Sequence, residues 1–375
     1  MSKVSVIKTS SKSVISDYSR LMKLADFKKE LHPSNKTILK LNIPWSLFYP
    51  AISTNPWQLD GTLKALRDEG YSDILAVENQ TVVSHPWKGA YANKWLPVLK
   101  KYDVEFQPLT DVEWVKYEPK SKMLAMEDIF GEIWIPKIFQ GSNICHLPTV
   151  KTHGLTTTTG AMKNAFGGLI PKYRHHAHVR IHEILVDLLS IQREIHNGIF
   201  AIMDGSVCGN GAGPKTVEPF IGNIILASSD QVSIDAVAAK IMGFDPWNIG
   251  YIKIAHEMGL GIGDLDQIEI VGISRKELND LNFGFKIKRN PVVLADLFLR
   301  NTTLRMPWLH HMLFRSAMFM VFVRGSEFYH DSLWYPTIGK KKINEFLKTE
   351  WGKLFQNYDY GVPPKYEKLK EWDSY

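Results

Sequence analysis

The sequence predicts a mixed α/β fold: two lobes with largely parallel sheet flanked by helices, then a helical C-terminal extension. Three observations carry this. Short apolar runs alternate with amphipathic stretches between Thr37 and Phe106, and a second alternation runs on to Val271. After Gly272 the strand pattern fades into apolar, aromatic and basic residues. A chain of 375 residues exceeds one average domain, so two lobes sharing a cleft are expected. The division drawn is an N-terminal segment at 1–35, a first α/β lobe at 36–130, a second at 131–275 and the extension at 276–375.

In the first lobe, Thr37–Asn42 (TILKLN) reads as a strand. Pro56–Glu69 reads as a helix, with Leu59, Leu63 and Leu66 at helical spacing and Gly70 as its stop. Asp73–Glu78 is the next strand, Leu96–Lys101 the end of a second helix, and Val104–Phe106 a third strand. That β-α-β-α-β order implies a parallel sheet. In the second lobe, Glu132–Leu147 reads as two short strands around Gly141. His178–Glu194 reads as a helix, followed by strands at Ile199–Asp204 and Asn223–Ala227. Asp230 caps a helix at Gln231–Met242, which Gly243 ends. Asp245–Met258 is a further helix and Ile268–Val271 a closing strand. Residues 290–325 are expected to be helical, with a surface-packed tail behind them.

The composition is 45% hydrophobic and 22% charged, normal for a chain that buries a core. The net charge of +6 and pI near 9.0 favour anionic partners, but the excess is too small and scattered to argue for nucleic acid. The two cysteines, Cys145 and Cys208, allow at most one disulfide and cannot supply the four ligands of an iron–sulfur cluster. With no signal-peptide core in the Ser/Lys-rich Met1–Asp17, the cytoplasm is the expected compartment. Met306–Val323 is the most apolar run, but His310, His311 and Arg315 interrupt it. It reads either as a helix lying on a membrane surface, with Arg300, Arg305 and Arg324 meeting acidic lipid, or as a core helix with its histidines at the rim.

The chemistry concentrates between Lys151 and Gly213. Lys151-Thr-His153 is followed by TTTTGAMKNAFGG, carrying Lys163, Asn164, Gly167 and Gly168, and then by Lys172, Arg174, His175, His176, His178, Arg180 and His182. Charged and imidazole groups at this density behind a buried-type strand are costly unless they meet water or a ligand. Thr159-Gly160 opens a short helix whose amides would form an anion site beside Lys163. His178 and His182 lie four apart and could share a helix face, but no carboxylate completes a zinc spacing, so no metal is assigned. Asp204 ends a strand and leads into an expected loop with glycines at 205, 209, 211 and 213, a backbone able to approach an anion. The run matches neither a Walker loop nor a dinucleotide fingerprint. Asp235 has small and apolar neighbours one turn away, so its carboxylate is expected to be semi-buried and paired with Lys163 or Lys151, structurally or catalytically. Lys40, Asn42 and Glu78 end their strands at the sheet edge that Asp204 should also occupy.

The runs KTHGLTTTTGAMKNAFGGL, DGSVCGNGAGP, ASSDQVSIDAVAAKIMGFDP and MGLGIGD, with LKLNIPW and ILAVEN upstream, resemble the family known as domain of unknown function family 362, over roughly residues 36–275. Lys40 is followed by leucine where that family usually has proline. Many members carry a ferredoxin-like iron–sulfur segment, and this chain lacks its cysteines, so an electron-transfer role is not implied.

Taken together, these residues read as an enzyme of small-molecule metabolism holding a phosphorylated or carboxylated substrate in a cleft. His153, Lys163, Asp204 and Asp235 are the candidate catalytic groups. Lys40, Asn42, Glu78, Lys151, Asn164, Gly167, His178, Gly209, Gly211 and Gly213 are the candidate substrate-binding residues. The cofactor and oligomeric state are not legible. Two other readings stand beside it: a non-catalytic cofactor-binding or maturation protein, and a peripheral membrane enzyme on a lipid-linked substrate, touching the membrane through residues 300–324.

Overall fold

The computed structural model describes residues 2–171, 175–303, 306–315 and 319–358. Lys172, Arg174, Arg305 and the tail beyond residue 358 lie outside the described residues, as do the side chains of His175, His310, His311 and Arg315.

The fold is mixed α/β around a largely parallel central sheet. Its strands are β1 (Ser2–Lys8), β2 (Thr37–Lys40), β3 (Ile74–Glu78) and β4 (Glu105–Pro108). A separate two-stranded pair, β5 (Trp114–Tyr117) and β6 (Ile133–Pro136), comes next in the chain. Then follow β7 (Asn143–His146), β8 (Thr149–His153), β9 (Thr157–Thr158), β10 (Gly198–Ala212), β11 (Thr216–Ser228) and β12 (Ile268–Val271). The spatial order is β12-β1-β11-β10-β7-β2-β3-β4, with β8 branching off β10 and pairing with β9. From β10 to β4 every neighbour on that path is parallel, while β10 and β11 form an antiparallel hairpin.

Side chains alternate between two cores, one on each face of the sheet. Ile38, Ile144 and Met203 enter one, and Leu39, Cys145 and Ile202 the other. A strand covered on both faces has no solvated side to mark with polar residues, which is why β2 and β7 are buried throughout. Both cysteines are buried free thiols.

The Gln231–Met242 helix is built as its sequence implies. The Asp230 carboxylate accepts from the amides of Val232 and Ser233, and Gly243 closes the helix at φ 99°. The strands of both α/β stretches join one sheet, since β7 lies between β2 and β10. The N-terminal segment supplies a strand, β1, between β11 and β12. The glycine run after Asp204 is no loop: β10 continues through it to Ala212. Within the Met306–Val323 run, the described residues Pro307–Arg315 and Phe319–Val323 are helical, the latter in a helix that continues to Glu327. Among the described residues no helix is long and apolar enough to cross a membrane.

Candidate functional site

The C-terminal ends of β2, β3 and β8 open on one cavity of about 490 Å³. Residues outside the carboxyl ends of parallel strands are free of ladder hydrogen bonds and can face a ligand. Here they form a polar floor with the Gly160–Asn164 helix. The opposite wall comes from three C-terminal helices, Pro291–Thr303, Pro307–Arg315 and Phe319–Glu327.

The floor is a wired network. Lys40 Nζ lies 2.6 Å from Glu78 Oε1 and donates to the Leu41 carbonyl at 2.7 Å, both side chains being buried. Lys151, also buried, donates to Asn42 Oδ1 and to the Ile52 carbonyl. Asn42 Nδ2 donates to Asn164 Oδ1 at 3.3 Å, and Asn164 Nδ2 to the Lys40 carbonyl at 2.9 Å. Beneath them His146 Nε2 meets Gln192 Oε1 at 2.6 Å, and burial pushes this imidazole down to about 4. Burial and then the charge of Lys163 hold the Lys151 ammonium well below its ordinary range.

His153 Nδ1 accepts from the amides of Leu155 at 3.2 Å and Thr156 at 3.3 Å. That assigns its proton to Nε2. Burial, then Lys163 and Lys151, push its pKa well below 6.5. With Nδ1 accepting, the ring presents its Nε2–H as a hydrogen-bond donor. Lys163 Nζ sits 5.3 Å from the centroid of the Phe166 ring, and the His178 ring lies edge-on to that same ring. Gly167 matters because a Cβ there would come within 3.0 Å of Lys40 Nζ.

Ten of the fourteen expected residues line this cavity: Lys40, Asn42, Glu78, Lys151, His153, Lys163, Asn164, Gly167, His178 and Gly213. The other four do not. Asp204 is buried elsewhere, accepting from Tyr18 Oη, Trp57 Nε1 and the amide and hydroxyl of Ser206. Gly209 and Gly211 lie within β10, where a Cβ on Gly209 would strike Val217 and Lys151. Asp235 has no lysine partner among its hydrogen bonds; it accepts from the amides of Ala161 at 2.5 Å and Met162 at 3.1 Å. The helix N-terminus expected to hold a ligand's anion holds this carboxylate instead. His178 and His182 fall in different elements, the His175–Arg180 turn and the Ile181–Ile195 helix, and His182 Nδ1 accepts from the Tyr251 amide. Among the described residues no group of three His, Cys, Asp or Glu is placed to hold a metal.

The sequence reading missed Lys215, Asn290 and His330 and set Arg300 against acidic lipid; all four are in the lining, and Arg300 is buried. Lys215 Nζ sits 5.4 Å from the Trp45 ring centroid, and burial pushes it down to about 8. Arg300 pairs with Asp296 at 2.8 Å and lies 4.4 Å from the Phe314 ring centroid. An arginine inside an apolar helix was the available signal. Among the described residues the lining thus carries five lysines and arginines against two carboxylates, Glu78 and Asp296, and each carboxylate is ion-paired.

Burial pushes the Asp235 carboxyl up to about 7, against two amides that favour its charge. Between about pH 4 and pH 7 the folded chain keeps a proton that the unfolded chain has released, so this group's contribution to stability falls as pH rises. Asp235→Asn cannot ionise. Its stability relative to the wild type is expected to rise across that window, by up to ~1.4 kcal/mol per pH unit. Urea unfolding of both proteins at several pH values checks this; a difference independent of pH would mean that Asp235 does not titrate there.

A thylakoid-associated protein of Synechocystis sp. is 26% identical over 177 residues, which are 45% of this chain and 51% of that protein. The chain thus spans about half the length of that relative. No solved structure matches the chain significantly. The family described as domain of unknown function (DUF362) matches residues 37–240, the stretch that supplies β2 to β11 and most of the polar floor, and the chain belongs to it.

Proposed function

We propose that the cavity binds a small molecule through a phosphate or carboxylate group, and that the protein is an enzyme acting on it. The observation that carries this is the convergence of Lys151, Lys163 and the His153 Nε2–H on one cavity whose carboxylates are already ion-paired. An anion there would relieve the mutual repulsion of the lysines, and the donors are held in place before it arrives. Lys151 is the candidate acid/base group. Two of its ammonium protons are engaged by Asn42 and Ile52, and the third is left to meet the anion or to pass to the substrate.

A second reading is a non-catalytic binding protein. It is favoured by the displacement of Asp204 and Asp235 from the lining, which leaves no unpaired carboxylate among its described residues. The name of the thylakoid-associated relative brings a membrane setting into consideration. The two free thiols support the cytoplasm as the proposed compartment.

Calorimetric titration with inorganic phosphate and with acetate tests the anion site. Lys163→Met is expected to weaken binding by roughly 10- to 100-fold, as for loss of a hydrogen bond to a charged group, while melting stays unchanged. Unchanged affinity in both Lys163→Met and Lys151→Met would sink the reading. Native mass spectrometry of freshly purified protein would name a retained ligand, and its turnover would separate enzyme from binding protein.

A further inference from the structure

The cavity has two chemically distinct halves. Its floor carries Lys40, Lys151, Lys163 and His153. Its other wall is hydrocarbon and aromatic, with Val293, Leu299, Phe314, Val321 and Phe322 among its members and Arg300 ion-paired within it. A compact polar anion would occupy the floor and leave that wall facing water, at a cost that grows with its apolar area.

The apolar wall also reaches the surface. Val321 and Phe322 line the cavity yet are 69% and 37% exposed, which puts them at its mouth. The helices around them pack on one another in succession and expose Phe298 at 67%, Trp308 at 69% and Phe328 at 60%. Nine of the sixteen large apolar side chains exposed among the described residues fall between Leu294 and Ile338. Single exposed apolar residues are ordinary, but a concentration at a cavity mouth needs a partner.

Charge narrows what that partner is. Residues 286–342 contain ten lysines and arginines against three acidic residues. That net charge of +7 exceeds the +6 of the whole chain, so the remainder is slightly acidic. Residues 294–338 themselves hold four arginines against three acidic residues, with Arg300 and Arg324 ion-paired, so the basic excess lies at their flanks, in Lys286, Lys288, Arg289, Lys340, Lys341 and Lys342. An apolar, aromatic face flanked by cations is the composition of one that rests on an anionic bilayer. Among the described residues no helix is long and apolar enough to cross one.

We propose that the ligand of the cavity is a lipid-like amphiphile, with its anionic head group on the lysine floor and its hydrocarbon against the C-terminal helices, taken up from an anionic membrane surface on which residues 294–338 rest. This builds on the anion-site reading above and names the substrate class of that site.

Calorimetry on the full chain separates the two claims. The probes are inorganic phosphate and dodecyl phosphate, the latter kept below its micelle-forming concentration. Dodecyl phosphate is expected to bind at least roughly 100-fold more tightly, the gain from burying three or four methylenes. Val321→Asp, at an exposed position that folding tolerates, should abolish that gain and leave phosphate affinity intact. Equal affinities for the two probes would overturn the amphiphile and leave the anion site standing. Binding of neither probe would mean that the anion site itself fails.

Flotation tests the membrane. Wild type should rise with phosphatidylcholine/phosphatidylglycerol vesicles at low salt and not with phosphatidylcholine alone. The triple variant Phe298→Ser, Trp308→Ser, Phe328→Ser should stay behind, with unchanged melting and unchanged affinity for dodecyl phosphate. Wild type that ignores anionic vesicles, including one that hides this face in a dimer, would overturn the membrane source.

Discussion

Asp204→Ala is expected to destabilise the protein by ~3–5 kcal/mol while leaving the phosphate affinity of the folded fraction unchanged. Asp204 is a buried carboxylate with four donors: Tyr18 Oη at 3.0 Å, Trp57 Nε1 at 2.8 Å, the Ser206 amide at 2.7 Å and the Ser206 hydroxyl at 2.6 Å. Tyr18 comes from the Val14–Leu24 helix and Trp57 from the Pro56–Asp68 helix, so the carboxylate ties two helices to β10. Alanine strands those donors without water, each at a cost of ~1–3 kcal/mol before relaxation. Burial already pushes the carboxyl above its usual range despite the donors. Urea unfolding measures the loss. A well-folded Asp204→Ala protein that no longer binds phosphate would return Asp204 to the site.

The misplacement of Asp204 shows what was legible and what was not. The polar residues ending β2, β3 and β8 were found because a strand pattern stopping at a lysine, asparagine or glutamate has a local signature. Lys40, Asn42, Glu78, Lys151 and His153 reach the cavity from the ends of those strands. Asp204 has the same local signature, but β10 does not end there. It runs on through the glycines, because Gly205 and Gly209 let neighbouring side chains and backbone approach where a Cβ would collide. Glycine permits a tight strand as readily as a loop, and sequence spacing does not separate the two. Asp235 failed differently. Its burial was expected, but its partners are backbone amides, which no residue type announces. The family resemblance covered the floor and not the roof. Residues 37–240 match the family, whereas Arg300, Phe314 and His330 lie beyond that stretch and meet the floor only through tertiary structure.

Glu78→Gln is expected to destabilise the protein by ~3–5 kcal/mol, because it leaves the Lys40 ammonium buried without its countercharge. The pair lies at 2.6 Å with side chains 1% and 4% exposed. Lys40→Met should cost a similar amount by leaving Glu78 charged in the same place. Joint replacement, Lys40→Met with Glu78→Leu, removes both charges and fills similar volume, so it should recover most of the loss. The double-mutant cycle then gives a coupling of several kcal/mol, well outside the near-additivity of independent sites. The same double variant decides what Lys40 does. Its ammonium is already engaged by Glu78 and the Leu41 carbonyl, which makes it a support for the floor more than a ligand contact. The double variant should therefore keep phosphate affinity within about threefold of the wild type, a difference of less than ~0.7 kcal/mol, with Lys151 and Lys163 still in place. A stable double variant that has lost phosphate would instead show that Lys40 touches the ligand, with Glu78 holding it ready.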